Sequence, residues 1–267
     1  MIIDFHTHSF PDSLAPRAME VLKKNCSGLE ALSAHTDGTA LDAKNKLLAA
    51  GIDRAAVCNI ATNPRQEANV NSYAISLLSD PFFIPLGSVH PESENKESEL
   101  DRLLAAGIKG VKLHPDYVRI PLSDGGFDRI FSMLTERGMF AVIHAGLDPV
   151  SPDKIHATPD MIKGVMKRHP TLRLVAAHSG GMCLGREVLD TLVDSGVYID
   201  TSLSSVREDE WETLYKLYNS MDGGHILFGT DTPWSDPARE IAFIRDSALP
   251  EGLKRQIFSE NALELLK

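Results

Sequence analysis

Residues 105–113 read AAGIKGVKL, in which an alanine-rich helical end runs through Gly107 directly into an apolar strand-like segment. The same pattern occurs at Gly51 in AAGIDRAAVCNI, at Gly138 in ERGMFAVIH and at Gly196 in DSGVYIDTS. Glycine is the usual residue just after a helix because the left-handed conformation costs it no Cβ clash. The glycines recur at one or two multiples of about 30 residues, the size of a strand with its crossover helix. The chain therefore repeats a strand–helix unit.

Eight apolar segments fit this unit and show little polar alternation, as expected of parallel strands buried on both faces. They lie at 2–7, 53–61, 82–89, 108–114, 139–145, 172–178, 196–201 and 225–230, with helix candidates near 39–50, 65–79, 94–106, 124–137, 159–169, 183–194, 206–219, 237–247 and 251–266. Eight such units in 267 residues predict an α/β protein with a (β/α)₈ barrel rather than an open sheet. Because no Pro/Ser-rich linker divides the chain, we expect residues 1–267 to form one domain.

The first connection is longer than the others. A helix-like piece near 14–24 and a loop up to about residue 38 precede the helix expected at 39–50. In a barrel this segment would follow the first strand and lie over the mouth, where it is either a lid or a plain surface excursion.

Composition excludes several classes of partner. The chain is 43% hydrophobic, and its 27 Lys and Arg against 37 Asp and Glu give a formal net charge of −10, which repels nucleic acid and anionic membranes. No window approaches the ~20 apolar residues of a membrane span, and MIIDFHTHSF does not resemble a signal peptide. The chain has three cysteines, which are widely scattered and lack a CxxC spacing: Cys26, Cys58 and Cys183. This pattern argues against a disulfide framework. We therefore expect a cytoplasmic protein with a small-molecule substrate.

Histidines stand where strands end. His6 and His8 are two residues apart on the first strand, so the pleat aims both side chains at one face. His144 ends the run MFAVIH, His178 ends LRLVAAH and Asp231 ends HILFGTD. In a barrel the carboxyl ends of all strands open onto the same mouth, where residues distant in sequence meet. We therefore expect these five side chains to converge.

Imidazole nitrogens with one carboxylate suit Zn²⁺ or a similar divalent ion, and a catalytic site leaves one position open for water. The ion would lower the pKa of that water and polarise a substrate oxygen. Asp231 would then accept the proton of the water while it contacts the metal. His178 would orient the water, stabilise negative charge or protonate a leaving group.

The segments HTH, VKLHP, VIHAG, AAHSGG and FGTDTPW, with the tail FSENALELL, together resemble the amidohydrolase superfamily, specifically its branch of aminocarboxymuconate semialdehyde decarboxylase-like proteins. The resemblance covers essentially the whole chain. It implies a distorted TIM barrel with an extra C-terminal helix. It also implies a divalent metal bound by His6, His8, His144 and Asp231, with His178 as the catalytic histidine, and it allows a homodimer.

Lys112 leaves the number of ions open. Superfamily members with two metals use a carboxylated lysine on the fourth strand as a bridge, and the one-metal branch lacks it. In GVKLHP, Lys112 and His114 share one strand face, so either can point inward. We favour one Zn²⁺ ion with Lys112 or His114 contacting substrate or supporting the ligands, and two ions if Lys112 is carboxylated.

The leading functional hypothesis is a metal-dependent hydrolase that attacks an amide, ester, lactone or related C–N or C–O bond of a small molecule. The alternative is a metal-dependent decarboxylase acting on a small carboxylated substrate at the same site, favoured if a second cation lies beside the metal. A phosphoesterase is less expected, because HAG, AHSGG and GTDTPW do not match that type of site. A non-enzymatic binding barrel is also less expected, because no anticipated ligand is missing from the sequence.

Overall fold

The computed structural model describes residues 1–25 and 33–267. In this part of the chain there are eight parallel strands: β1 (Ile3–Thr7), β2 (Arg54–Cys58), β3 (Phe83–Leu86), β4 (Gly110–Leu113), β5 (Phe140–Ile143), β6 (Leu174–Ala176), β7 (Tyr198–Asp200) and β8 (Ile226–Leu227). The α-helices are α1 (Ala15–Asn25), α2 (Ala40–Ala50), α3 (Glu67–Leu77), α4 (Lys96–Ala105), α5 (Pro115–Val118), α6 (Gly125–Glu136), α7 (Pro159–Arg168), α8 (Gly185–Thr191), α9 (Trp211–Ser220), α10 (Pro237–Arg245), α11 (Glu251–Arg255) and α12 (Asn261–Leu265). Each strand lies inside its predicted segment, and the (β/α)₈ barrel is confirmed.

The ring of strands is closed unevenly. Strands β1 to β3 form one parallel sheet and β4 to β8 another, each in sequence order. A single bridge between Gly87 and Val111 joins β3 to β4, and the other seam is formed by Thr7 and Thr232 together with a hydrogen bond from Phe5 N to Phe228 O of 2.7 Å. The barrel is therefore distorted, as the family resemblance implied.

Local sequence explains how helices begin and end. Gly51, Gly107, Gly138 and Gly196 all adopt left-handed φ angles, of 93°, 94°, 63° and 75°. At the other end, Thr158 accepts a hydrogen bond from Met161 N and precedes Pro159, the first residue of α7. These signals set the points where the chain turns from helix to strand. The predicted helix at 251–266 differs, because a π-helical segment, Gln256–Glu260, separates α11 from α12.

The barrel interior is apolar near the amino ends of the strands. Phe5 and Phe140 are fully buried there with ring centroids 5.7 Å apart, and they belong to a cluster that includes Ala262 and Leu265 of α12. Arg173, just before β6, donates a hydrogen bond to the carbonyl oxygen of Leu265. Helix α12 therefore covers this end of the barrel, and the opposite end is left for the site.

The first connection contains the predicted helix as α1, and α2 follows at Ala40. Part of the expected lid loop, together with Cys26, lies outside the described residues. Cys58 and Cys183 are free thiols. Among the helices of the described chain, we find no stretch with the length and hydropathy that a bilayer crossing requires.

Candidate active site and metal centre

Three of the predicted ligands meet at the carboxyl end of the barrel. The Nε2 atom of His6 lies 3.3 Å from Asp231 Oδ1, and the Nε2 atom of His8 lies 3.1 Å from the same oxygen. His6 lies on β1 and His8 directly follows it, whereas Asp231 follows β8. A backbone hydrogen bond of 2.8 Å from Asp231 N to His6 O connects the two segments. The barrel thus brings residues 225 positions apart into one cluster.

The protonation of these imidazoles favours a cation between them. His6 Nδ1 donates to Asp200 Oδ2 at 2.8 Å, and His8 Nδ1 donates to the carbonyl oxygen of Cys58 at 2.9 Å. With Nδ1 as the donor in each ring, Nε2 is the atom left to bind a metal ion, and both Nε2 atoms lie beside the same carboxylate oxygen of Asp231. Converging lone pairs of two imidazoles and a carboxylate are the donor set of a divalent metal site. The residues present fit the ion that the sequence predicts.

Electrostatics keep these groups in the forms that bind metal. Burial and the nearby cation of Lys112 hold the pKa of His6 well below its usual range, so its ring is neutral. For Asp231, burial acts to raise the pKa, but the hydrogen bond with His8 and the charges around it outweigh burial and leave the pKa lowered. Asp231 is therefore ionised at neutral pH.

Lys112 reaches into the same cluster. Its side chain is 1% exposed, and its ammonium Nζ donates to His6 Nε2 at 2.9 Å. A lysine amine is seldom buried so completely unless it has an anion to pair with. Lys112 therefore adds a second positive group beside the candidate metal site.

His178 belongs to a chain of polar groups. Ser202 Oγ donates to Asp200 Oδ1, and His178 Nδ1 lies 2.8 Å from the same hydroxyl, so Nδ1 carries the proton and donates. His178 Nε2 then accepts from His144 Nδ1 at 3.1 Å. Burial holds the pKa of His178 well below its usual range. A neutral imidazole with a fixed tautomer results.

His144 stands apart from the other three predicted ligands. Its Nε2 atom is buried without a hydrogen-bond partner and lies 3.7 Å from Asp148 Oδ2. The ring stacks on His114, with centroids 4.3 Å apart, and these two histidines form a separate group with Asp148. The ring of His178 therefore lies between those of His144 and His6, with centroid distances of 4.8 Å and 5.0 Å. An acceptor with no donor is consistent with a cation ligand, and the assignment of His144 to the metal stays a prediction.

Backbone conformation also marks this end of the barrel. His178 and Asp231 have φ angles of 57° and 65°, and Ser179 has 59°. Residues other than glycine rarely adopt this left-handed region, and such strain concentrates at functional sites. After β6 and after β8, the chain thus turns sharply at residues that are predicted to act in catalysis or metal binding.

Asp200 and Ser202 also belong to the site, although neither was predicted from the sequence. Asp200 is fully buried, accepts the proton of His6 Nδ1 and also receives the backbone N–H of His178 at 3.0 Å. It ends β7 in the run VYIDTS, so the strand-end rule that selected Asp231 applied equally to Asp200. This outer carboxylate orients both candidate metal-binding and candidate proton-transferring imidazoles.

A cavity of about 650 Å³ opens above these groups. His6, His8, His178, Asp231 and Lys112 line one part of it, together with His114, His144 and Asp148. Most of the remaining wall is apolar and comes from α1, α3 and the loops after the strands. This combination of a few convergent polar groups in a largely apolar cavity is typical of small-molecule sites.

A family model described as amidohydrolase matches residues 3–267. A curated relative, the 6-methylsalicylic acid decarboxylase of Penicillium expansum, is 27% identical over an alignment of 183 positions, and the match covers 54% of this chain and 55% of that protein. The match thus spans about half the length of that relative. The relative is named as a decarboxylase, which favours the alternative reaction over the hydrolysis that was the leading hypothesis.

Solved structures share the fold at low identity. An uncharacterised TIM-barrel protein of Bordetella bronchiseptica has a TM-score of 0.79 at 17% identity, covering 99% of this chain and 98% of its own. The 5-carboxyvanillate decarboxylase of Novosphingobium aromaticivorans, solved with manganese and 4-hydroxy-3-methoxy-5-nitrobenzoic acid, has a TM-score of 0.74 at 17% identity, covering 100% and 96%. The 2,6-dihydroxybenzoate decarboxylase from Rhizobium has a TM-score of 0.73 at 13% identity, and the match covers 99% of this chain and 98% of that one.

Proposed function

The chain belongs to the amidohydrolase family of enzymes, and from that premise we propose that it is a metal-dependent decarboxylase of a small aromatic carboxylic acid. Divalent metal binding is supported by the family and by the cluster of His6, His8 and Asp231. We propose Zn²⁺ or Mn²⁺ as the ion, with His144 as the fourth ligand and residues 1–267 as one catalytic domain.

The observation that supports decarboxylation over hydrolysis is the position of Lys112. Its buried ammonium group lies 2.9 Å from His6 Nε2 and lines the cavity. The ionised Asp231 is shared with His6, His8 and the proposed metal ion, so a neutral amide, ester or lactone would leave the buried ammonium without an anion of its own, which is costly. A substrate carboxylate would provide that anion.

The charges around the cavity lead to the same conclusion. A divalent ion and Lys112 together exceed the negative charge of Asp231 and Asp200. Asp4, a buried carboxyl group close to Asp200, does not offset the excess at neutral pH, because burial raises its pKa to about 8. The site is therefore complementary to an anion.

In the proposed reaction, the bond between the ring carbon and the carboxylate breaks, CO₂ leaves, and the electron pair stays on the ring carbon, which takes a proton. A bound divalent ion supplies Lewis-acid polarisation of substrate oxygens. Lys112 holds the carboxylate by a charge-assisted hydrogen bond. The apolar wall excludes water, which strengthens these interactions.

His178 delivers the proton in this proposal. Asp231 is ionised and fits a ligand, so it has no proton to give. His178 is held through Nδ1 by Ser202, and its ring lines the cavity. In this proposal Nε2 exchanges the hydrogen bond that it accepts from His144 Nδ1 for a proton from solvent and passes that proton to the ring carbon. An anionic substrate beside this ring favours its protonated form, and the depressed pKa makes the imidazolium a ready donor.

The test is to load the protein with Mn²⁺ or Zn²⁺ and to incubate it in D₂O with a panel of 2-hydroxybenzoates, amides and lactones. We expect CO₂ release and a phenol that carries deuterium at the carbon that bore the carboxylate. Hydrolysis of amides or lactones with no CO₂ release from any acid would contradict the proposal.

Two variants separate the roles. His178→Asn should keep the metal content and lower turnover by about 10²–10⁴, as removal of a general acid does, whereas loss of metal would make His178 a ligand. Lys112→Met should raise KM for the acid. The matched control is Lys46→Met, because Lys46 is exposed on α2 and away from the cavity.

A further inference from the structure

Resting on the proposed decarboxylase function, we infer that the substrate carries a hydrocarbon substituent of several carbons on its aromatic ring, and that helix α1 binds it. The polar groups of the cavity bind the carboxylate end. The rest of the cavity is larger and more apolar than a bare hydroxybenzoate requires.

Helix α1 presents a stripe to the cavity. The residues from this segment that line it are Leu14, Arg17, Ala18, Val21, Leu22 and Asn25. These positions recur every three or four residues, so they lie on one helical face. Four of the six are apolar, which makes the stripe a hydrophobic wall with one cation beside it.

The stripe is not needed to attach the helix to the barrel. Ala15 and Met19 are the buried residues of α1, and they point about a quarter-turn away from the cavity face. The space that a Cβ on Gly38 would occupy is 2.6 Å from Met19 Cγ, so Met19 packs directly on that loop. Leu14 and Val21, by contrast, are 56% and 51% exposed. Their apolar surface is available to a ligand.

Volume gives a second, independent argument. A cavity of about 150 Å³ is enough to hold a benzene ring. The cavity here is about 650 Å³, so an aromatic acid bound at Lys112 leaves most of it to be filled. Other apolar side chains, including Val70, Met182, Leu203 and Trp234, complete the wall. A hydrocarbon substituent fills this volume and covers the exposed leucine and valine.

The inference therefore predicts that affinity depends on the length of the ligand's alkyl substituent. Each buried methylene improves transfer out of water enough to tighten binding by roughly two- to fourfold. We expect the dissociation constant of 4-alkylbenzoates for the Mn²⁺-loaded protein to fall by this factor per carbon from methyl to pentyl. These ligands lack the ring hydroxyl and serve as unreactive probes in calorimetric titrations.

Two double variants locate the effect. In the double variant Leu14→Asn, Val21→Asn, the change in the logarithm of the dissociation constant per added carbon should be less than half of the wild-type value. Leu41→Asn with Leu48→Asn on α2 is the matched control, because these side chains are 69% and 48% exposed and do not line the cavity. The control should keep the wild-type dependence.

A dissociation constant independent of chain length in the wild-type protein would overturn the inference, and so would an equal loss in both double variants. The proposed reaction is judged separately, by CO₂ release from 2-hydroxybenzoates with the same alkyl chains. If chain length tightens binding but no CO₂ is released, the decarboxylase function fails and the assignment of α1 stands.

Discussion

The two ends of the barrel interior are built from opposite kinds of residue. Near the amino ends of the strands, Phe5 and Phe140 pack under α12 in an apolar cluster. At the carboxyl ends, the barrel carries histidines, carboxylates and Lys112, most of which are also buried. Burial of apolar side chains stabilises the fold at the first end. At the second end, the desolvation of polar groups and the strained backbone cost stability, and this is the end that forms the site.

If this contrast is correct, substitutions at the two ends should have separable effects. Changes at the carboxyl end should alter metal content and turnover with modest effects on folding. Changes at the amino end should do the reverse.

Removal of a metal ligand should have the largest effect. For His6→Ala and Asp231→Ala we expect metal occupancy and activity to fall by more than the roughly 10–100-fold that accompanies loss of an outer-shell partner. Metal analysis after dialysis against a weak chelator measures occupancy. Full occupancy with full activity in either variant would remove the basis for the site.

Phe140→Ala tests the other end. Phe140 is fully buried, and its ring fills the space where a side chain on Gly110 would otherwise lie. We expect the free energy of unfolding to drop by about 3–5 kcal/mol, the cost of a large cavity, as measured by denaturant titration. Metal bound per folded chain should stay at the wild-type level, and a parallel loss of metal would mean that the two ends are coupled.

Asp200→Asn should have an intermediate effect. Its carboxylate receives His6 Nδ1–H, so the change should weaken metal affinity by about 10–100-fold without unfolding the chain. Competition with a chromogenic chelator gives the affinity. Asp128→Asn is the control, because Asp128 accepts a similar hydrogen bond from His169 at 2.9 Å but does not line the cavity.

Glu240 should have the smallest effect on metal content and turnover, because it does not line the cavity, and its effect on stability depends on pH. Burial raises the pKa of Glu240 from 4.5 to about 7, although Ser205 and Ser235 donate hydrogen bonds to it. Because the folded pKa is raised, the contribution to stability is full below pH 4.5 and is lost as the pH rises through 7. The slope is at most about 1.4 kcal/mol per pH unit.

Glu240→Gln should remove this slope, because the neutral amide does not ionise and the serine hydroxyls can rotate to accept from it. Denaturant titrations of both proteins between pH 4.5 and 8 provide the comparison. Parallel stability curves for the variant and the wild type would show that Glu240 does not titrate in this range.

The fold was predictable because its signals are local. Gly51, Gly107, Gly138 and Gly196 each mark a helix end by backbone conformation alone, and continuous apolar runs mark the buried strands. The break in the last helix was not predictable in this way. The π-helical segment at Gln256–Glu260 packs against β8, so it depends on tertiary contacts that a helical pattern does not encode.

The site was predictable only in part. The ends of β1 and β8 indicated which residues converge, because parallel strands share one mouth. The rotation of each ring is set by partners distant in sequence, such as Asp200 for His6 and His178 for His144. The side to which Lys112 extends is set by the barrel in the same way. Sequence spacing therefore indicated the members of the site and not their contacts.

The left-handed backbone at His178 and Asp231 has a consequence for evolution. Each such residue costs roughly 1–3 kcal/mol relative to a relaxed conformation, and glycine would avoid most of that cost. Selection for heat resistance alone would thus favour glycine at both places and erase the chemistry. Among descendants of this barrel, retention of the costly residues at positions 178 and 231 would indicate that catalysis is still under selection.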